Sequence, residues 1–78
     1  MKHTYDEFRR ETKKRLRENL AAHNLSDEDL ENYVQQEEDQ VKGAYEGYLH
    51  PRENDTREDD VRFMMGASSI AMCLEYCY

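Results

Sequence analysis

The sequence predicts an all-α protein that forms a three-helix antiparallel bundle as a single domain of 78 residues. Three observations predict this fold. Apolar residues recur at helical spacing in three segments, polar capping residues precede each segment, and only one proline and three glycines interrupt the chain. The connections between the segments are short, as antiparallel neighbours require. We expect helices at roughly residues 5–22, 27–47 and 57–76.

The first helix is predicted from a capping box and one narrow apolar stripe. In Thr4-Tyr-Asp-Glu7 the threonine hydroxyl accepts a bond from a free backbone N–H group, and Glu7 reaches back to the backbone of Thr4. Asn24 is predicted to end the segment, because asparagine tolerates the left-handed conformation found at helix ends. The stripe consists of Tyr5, Phe8, Thr12, Leu16 and Leu20.

The second helix is predicted to begin after Ser26, with acidic residues in its first turn, where the helix dipole favours them. Glu37 and Glu38 interrupt its apolar stripe. Gly43 and Gly47 weaken its far end, so we expect a kink or a stop between the two glycines. The stripe consists of Leu30, Val34, Val41, Tyr45 and Tyr48.

The third helix is predicted to start in Asn54-Asp55-Thr56 and to be the most buried of the three, because it is apolar nearly all round from Val61 onward. Two narrow stripes on the other helices would leave part of it uncovered, and an uncovered apolar patch usually marks an interface. We therefore expect a homodimer built on this helix. Its bulky stripe is Phe63, Ala67, Ile70, Leu74 and Tyr78. The residues predicted for self-association are Gly66, Ser69, Met72 and Cys73.

Charge is partitioned along the chain, which has a net charge of −7. Residues 1–22 carry seven bases and four acids, residues 23–60 carry three bases and thirteen acids, and residues 61–78 carry one of each. A chain with this net charge is repelled by phosphates, so we expect no direct binding of nucleic acid. The basic run of the first helix is instead predicted to form ion pairs, and to lie against the acidic second helix.

The acidic residues fall in two clusters, which a helical bundle would space along its length. Carboxylates spaced in this way can imitate a phosphate backbone, so we predict a protein partner, specifically a basic nucleic-acid-binding protein. The alternative is that acids at helix starts are ordinary dipole and solubility features. The predicted partner-binding residues are Asp27, Glu28, Glu31, Glu37, Glu38, Asp39, Glu58 and Asp59.

The sequence gives little support for catalysis or cofactor binding, because it contains neither a nucleophile elbow nor a glycine-rich phosphate loop. We therefore expect no enzyme activity, no cofactor and no metal. Cys73 and Cys77, four residues apart on a helix, leave a metal or thiol site as an alternative. Because no second Cys/His pair accompanies them, packing of Cys73 as a small core residue is favoured.

A cytoplasmic protein without membrane contact is predicted from the two ends of the sequence. The opening MKHTYDEFRRE turns polar at once, unlike a secretion signal. The apolar segment near the end is shorter than the roughly 20 residues that span a bilayer and is bounded by Arg62 and Glu75. Two thiols with no favourable disulfide geometry are typical of a reducing compartment.

The segments YDEF at 5–8, SDEDLENYVQQEED at 26–39 and GAYEGY at 43–48, with an apolar tail ending in tyrosine, resemble a group of small helical proteins of phages and conjugative elements of gut Firmicutes. The resemblance covers most of the chain and assigns no binding residues. It implies a setting in which small accessory proteins block host defence, and thus an inhibitor of the anti-CRISPR or anti-restriction type. The alternative function is a structural module that self-associates or binds a partner's groove through the apolar third helix.

Overall fold

A computed structural model describes residues 2–78, and all regular structure in that range is helical. The helices are α1 (Tyr5–Asn19), α2 (Asp27–Gln36), α3 (Glu38–Leu49) and α4 (Asp59–Cys77), and a 3-10 turn (Ala21–His23) follows α1. They form an elongated body of 40 × 20 × 18 Å. The all-α prediction is confirmed, whereas the prediction of three helices is wrong because the second segment is divided.

The division falls at Glu37, between α2 and α3. The two helices form one bent rod, since the Glu37 N–H donates to the Tyr33 carbonyl and the Glu37 carbonyl accepts from Val41. The prediction of a kink or a stop between Gly43 and Gly47 is wrong, because α3 runs through both glycines and ends at Leu49. Each glycine costs helix stability, but burial of Val41 and Tyr48 on either side holds α3 together.

The predicted ends of the first segment and the start of the second are governed by local hydrogen bonds. The Thr4 hydroxyl accepts from the Glu7 N–H at 3.2 Å in a complete capping box, and the Ser26 hydroxyl accepts from the Asp29 N–H at 3.1 Å. Asn24 has a φ of 54°, the left-handed conformation expected at a helix end. However, α1 stops at Asn19, and the 3-10 turn replaces its predicted last turn.

The start of α4 differs from the prediction. The helix begins at Asp59, and its N-cap, Glu58, makes no side-chain capping bond. Asp55, which was expected to help start the helix, instead accepts two bonds from the Arg57 guanidinium within the preceding loop. The loop bond takes precedence because a bidentate arginine–carboxylate pair is stronger than a bond to a neutral backbone N–H.

The hydrophobic core receives side chains from all four helices, with α4 packed against α1 and α3. Phe8 lies at its centre, with its ring centroid 5.5 Å from that of Tyr45 and 5.8 Å from that of Phe63. Thr12 is the buried polar residue, and its hydroxyl donates to the Phe8 carbonyl at 2.9 Å. The buried apolar residues are Phe8, Leu16, Leu20, Leu30, Val34, Val41, Tyr48, Phe63, Ala67, Ile70, Ala71 and Leu74.

α4 supplies five of these core residues, more than any other helix in residues 2–78, but only one of its faces is buried. The opposite side exposes large apolar side chains by 43–85%. The third predicted helix therefore supplies the most core residues, as expected, and leaves one apolar side uncovered. We call the exposed side the open face of α4; it consists of Val61, Met64, Met65, Met72 and Tyr76.

Candidate functional site

Three of the six basic residues of α1 form ion pairs with acidic residues of α2. Arg9 and Lys13 both pair with Glu31, with the Lys13 ammonium 2.8 Å from the carboxylate, and Arg17 pairs with Asp27. The Arg9 guanidinium, followed by the Lys13 ammonium, lowers the pKa of Glu31 to about 2. These pairs confirm the prediction that the basic run lies against the acidic helix. They also mean that Glu31 and Asp27 are already neutralised within the molecule.

A third predicted partner-binding residue, Asp59, is engaged in the same way. It accepts from the Tyr48 hydroxyl at 2.7 Å and from the Arg62 guanidinium at 3.2 Å. The Tyr48 hydrogen bond, followed by the bond from Arg62, lowers the pKa of Asp59. Because Asp59 joins the end of α3 to the first turn of α4, we assign it a structural role within the bundle.

The other five predicted partner-binding residues have no basic partner within residues 2–78. Three of them lie at the bend between α2 and α3, and we call Glu37, Glu38 and Asp39 the corner cluster. Glu37 accepts from the neutral amide of Gln40 at 2.7 Å, and Glu38 accepts from the Tyr5 hydroxyl at 3.4 Å. The remaining two are Glu28 and Glu58.

His3 holds the segment before α1 against α4. Its Nδ1 lies 2.8 Å from Glu7 and its Nε2 lies 2.8 Å from Asp60, while its ring stacks on Phe63 with centroids 3.9 Å apart. The hydrogen bond with Asp60, followed by that with Glu7, raises the pKa of His3. Sequence reasoning missed this cluster. The spacing of four between His3 and Glu7 signals half of it, but nothing local points to Asp60.

His3, Asp59 and Asp60 are also the group within residues 2–78 whose ligand atoms lie close enough to hold a metal ion, within 4.8 Å of one another. His3 already bonds to Asp60, and Asp59 already accepts from Tyr48 and Arg62. The Arg62 guanidinium beside Asp59 opposes a second positive charge. The arrangement is thus complete as a hydrogen-bonded network.

The cysteines lie outside that network. Cys73 and Cys77 are both exposed free thiols on α4. The prediction that Cys73 packs in the core is wrong, because the small-residue stripe faces outward beyond Gly66. Gly66 itself serves the core, since a Cβ there would lie 3.2 Å from the Phe8 ring. Of the residues predicted for self-association, Ser69, Met72 and Cys73 are exposed and Gly66 is half-buried.

The central part of α4, residues 63–74, contains no acid or base, and Arg62 and Glu75 stand at its two ends. Two arginines border it: the Arg15 guanidinium lies 3.6 Å from the Met64 sulfur, and that of Arg57 lies 2.9 Å from the Met65 sulfur. Beside the open face, a shallow groove of about 360 Å³ runs between Ala44 and Gly47 of α3 and the neighbouring part of α4. These features suit contact with another protein surface, since methionine side chains adapt to varied apolar surfaces.

The chain matches no protein-family model, no curated protein and no solved structure. Within residues 2–78, every helix is too short or too polar to cross a lipid bilayer. The surface features that bear on function are the corner cluster, the unpaired acids Glu28 and Glu58, and the open face of α4.

Proposed function

We propose that this protein is a non-enzymatic, acidic interaction protein that binds a basic surface on a protein partner. One observation carries the proposal: three bases of α1 pair with Asp27 and Glu31 of α2, while the corner cluster and Glu28 have no base at ion-pair distance within residues 2–78. The net charge of −7 is thus concentrated on carboxylates that have no base of their own. Such a surface attracts a positively charged partner and steers its approach.

The most concrete form of this proposal is inhibition of a nucleic-acid-binding host protein, with carboxylates taking the place of phosphates. Seven net charges over a length of 40 Å amount to about one per 6 Å, against about one per 1.7 Å for a DNA duplex and 3.4 Å for one strand. The charge density is closer to that of a single strand. The resemblance to proteins of mobile elements supports an inhibitor of the anti-CRISPR or anti-restriction type.

The test is inhibition of DNA cleavage by purified CRISPR nucleases and restriction enzymes. We expect dose-dependent inhibition that weakens steeply between 50 and about 300 mM salt, because the contact is electrostatic. Replacing the corner cluster with lysines (Glu37→Lys, Glu38→Lys, Asp39→Lys) should abolish it. The matched control makes the same change of charge elsewhere: Glu18→Lys, Glu46→Lys and Glu53→Lys. Equal loss in both variants would show that only net charge matters, and would contradict a site at the corner.

A second candidate function is a self-associating or groove-binding module that uses the open face of α4. The observation in its favour is the line of half-exposed methionines on an uncharged stretch of helix. Binding of this kind resists salt. It should be lost with Met72→Arg and kept in the corner-cluster variant, which is the reverse of the pattern expected for the acidic surface.

A further inference from the structure

We infer that the open face of α4 is a two-fold symmetric interface, and that its occupant is α4 of a second copy of this chain in antiparallel orientation. The inference develops the second candidate function and is independent of the acidic surface. Five side chains exposed by 43–85% offer on the order of 500 Å². Two copies would bury about 1,000 Å², the lower limit for a specific interface, so the dimer should form at micromolar concentrations.

The order of residues on the open face suits a second copy of itself. Met65 and Met72 lie at equal distances on either side of the Ser68–Ser69 peptide bond, and so do Val61 and Tyr76. A two-fold axis at that point sets Met65 of one copy beside Met72 of the other, and Val61 beside Tyr76. A symmetric dimer requires such reciprocal contacts. The small serines at the centre let the two helices approach closely.

Charges around this surface are compatible with the same arrangement. α4 brings no acid or base to the contact between residues 63 and 74, and the Arg57 guanidinium beside Met65 is already paired with Asp55. At 100° and 1.5 Å per residue, Glu75 of the second copy lies beside Met64, within reach of the Arg15 guanidinium. The Nε of Arg15 already bonds to Glu11 at 3.1 Å, so Glu75 would share this arginine through its terminal nitrogens. The pair Glu75–Arg15 would form twice, once at each end. An anionic membrane surface fits less well, because it repels a chain with a net charge of −7.

Sedimentation equilibrium between 1 and about 300 μM tests the association. We expect a monomer–dimer equilibrium that persists at high salt, because the contact is mainly apolar and screening weakens the repulsion between the copies as well as the two rim pairs. Met72→Arg should abolish the dimer. Asn32→Arg, which introduces an arginine at an exposed position of α2, should leave it intact. A monomer at the highest concentration, or a dimer that persists in Met72→Arg, would overturn the inference.

Disulfide trapping tests the orientation. With helix axes 8–10 Å apart, the Cα atoms of the two Ser68 residues would lie about 6 Å apart, within the range for a disulfide. Ser68→Cys in a Cys73→Ser, Cys77→Ser background should therefore form a covalent dimer on oxidation. In the parent chain the two Cys73 residues would lie about 13 Å apart along the axis and should not cross-link. Met72→Cys in the Cys73→Ser, Cys77→Ser background should not cross-link either, because the two copies of residue 72 would lie about 10 Å apart along the axis. A cross-link through Met72→Cys would indicate a parallel pair and contradict the proposal.

A charge exchange tests the predicted rim contact. Glu75→Arg and Arg15→Glu should each weaken the dimer several-fold, and the double variant should restore it; failure of the double variant to recover would count against this register. The corner-cluster variant should dimerise normally. If it does not, the acids themselves contribute to self-association, and the separation of the two surfaces is wrong.

Discussion

The Nε2 atom of His3 lies 2.8 Å from a carboxylate oxygen of Asp60, and this contact ties the segment before α1 to the first turn of α4. The other ring nitrogen lies 2.8 Å from Glu7. An imidazole can donate to both carboxylates only when both nitrogens carry protons. His3 is therefore an imidazolium in its bonded state, and its charge joins two elements that are distant in sequence.

We predict that this contact makes the stability of the fold depend on pH near neutrality. The carboxylates raise the pKa of His3 above its ordinary value of 6.5. A group whose pKa is raised by folding stabilises the fold fully below its unfolded pKa, and this contribution is lost as the pH rises through the folded pKa. Urea unfolding between pH 6 and 8.5 should show stability falling over that window.

The matched variants for this prediction are His3→Gln and His23→Gln. His3→Gln should remove most of the pH dependence. His23→Gln should keep it, because His23 has no acid at ion-pair distance within residues 2–78. If the two variants show the same slope, the titrating group is not His3.

A second prediction concerns acid conditions and Glu31. The Arg9 guanidinium and the Lys13 ammonium lower the pKa of Glu31 to about 2 from 4.5. A lowered pKa gives stability that is present above the unfolded pKa and is lost as the pH falls through the folded value. Because Glu31 is 39% exposed and screened by water, we expect Glu31→Gln to cost only about 0.5 kcal/mol at pH 7.

The measurement is urea unfolding between pH 7 and 2 at 20 and about 500 mM salt. Glu31→Gln should flatten the curve between pH 4.5 and 2, and high salt should reduce its difference from the parent chain. Glu28→Gln, an exposed acid of α2 with no base, is the control and should change little. A larger loss in Glu28→Gln would mean that the ion pairs do not stabilise the α1–α2 contact.

The parts of the fold that follow from local signals could be predicted from the sequence. The capping box at Thr4, the cap at Ser26 and the left-handed Asn24 each depend on residues within a few positions. The apolar stripes of α1 and α2 likewise follow from helical spacing. The bend at Glu37 was missed, because the breaking tendency of Gly43 and Gly47 was weighed without the packing of Val41 and Tyr48, which depends on the whole bundle.

The candidate site was predicted less completely for a related reason. Whether an acid is free depends on which base reaches it, and the partners of Glu31 lie 18 and more residues away. The charge pattern predicts that α1 pairs with α2. It does not predict which acids of α2 the bases of α1 neutralise. The apolar excess on the last helix was foreseen from composition, whereas the side that remains open depends on where α1 and α3 pack.

A third prediction uses the contrast between exposed and packed glycines. Nothing lies within 4 Å of a Cβ placed at Gly43 or Gly47, and both lie inside α3. Gly43→Ala and Gly47→Ala should each stabilise the chain by about 0.5–1 kcal/mol, which corresponds to roughly 2–8 °C in Tm. Gly66→Ala should not stabilise, because its Cβ would meet the fully buried Phe8 ring at 3.2 Å. Thermal unfolding of the three variants measures the change in Tm. An equal rise in Tm for Gly66→Ala would mean that the Phe8 ring moves aside freely.

The last prediction separates the aromatic residue that holds the fold from the one assigned to association. Phe8 is fully buried among the rings of Tyr45, Tyr48 and Phe63, so Phe8→Ala should cost about 3–5 kcal/mol. A chain of 78 residues has a total stability of roughly 4–12 kcal/mol, so this variant should lose a quarter or more of that stability, and its unfolding midpoint in urea should fall accordingly.

Tyr76 is 85% exposed, and Tyr76→Ala should change the free energy of unfolding by less than about 0.5 kcal/mol. The same variant should nevertheless weaken the dimer, because Tyr76 lies opposite Val61 in the antiparallel pair. Circular dichroism during urea unfolding measures the first effect, and sedimentation at matched concentration measures the second. If Tyr76→Ala unfolds the chain as readily as Phe8→Ala, the open face belongs to the core. If it leaves the dimer unchanged, the second copy does not bind where we place it.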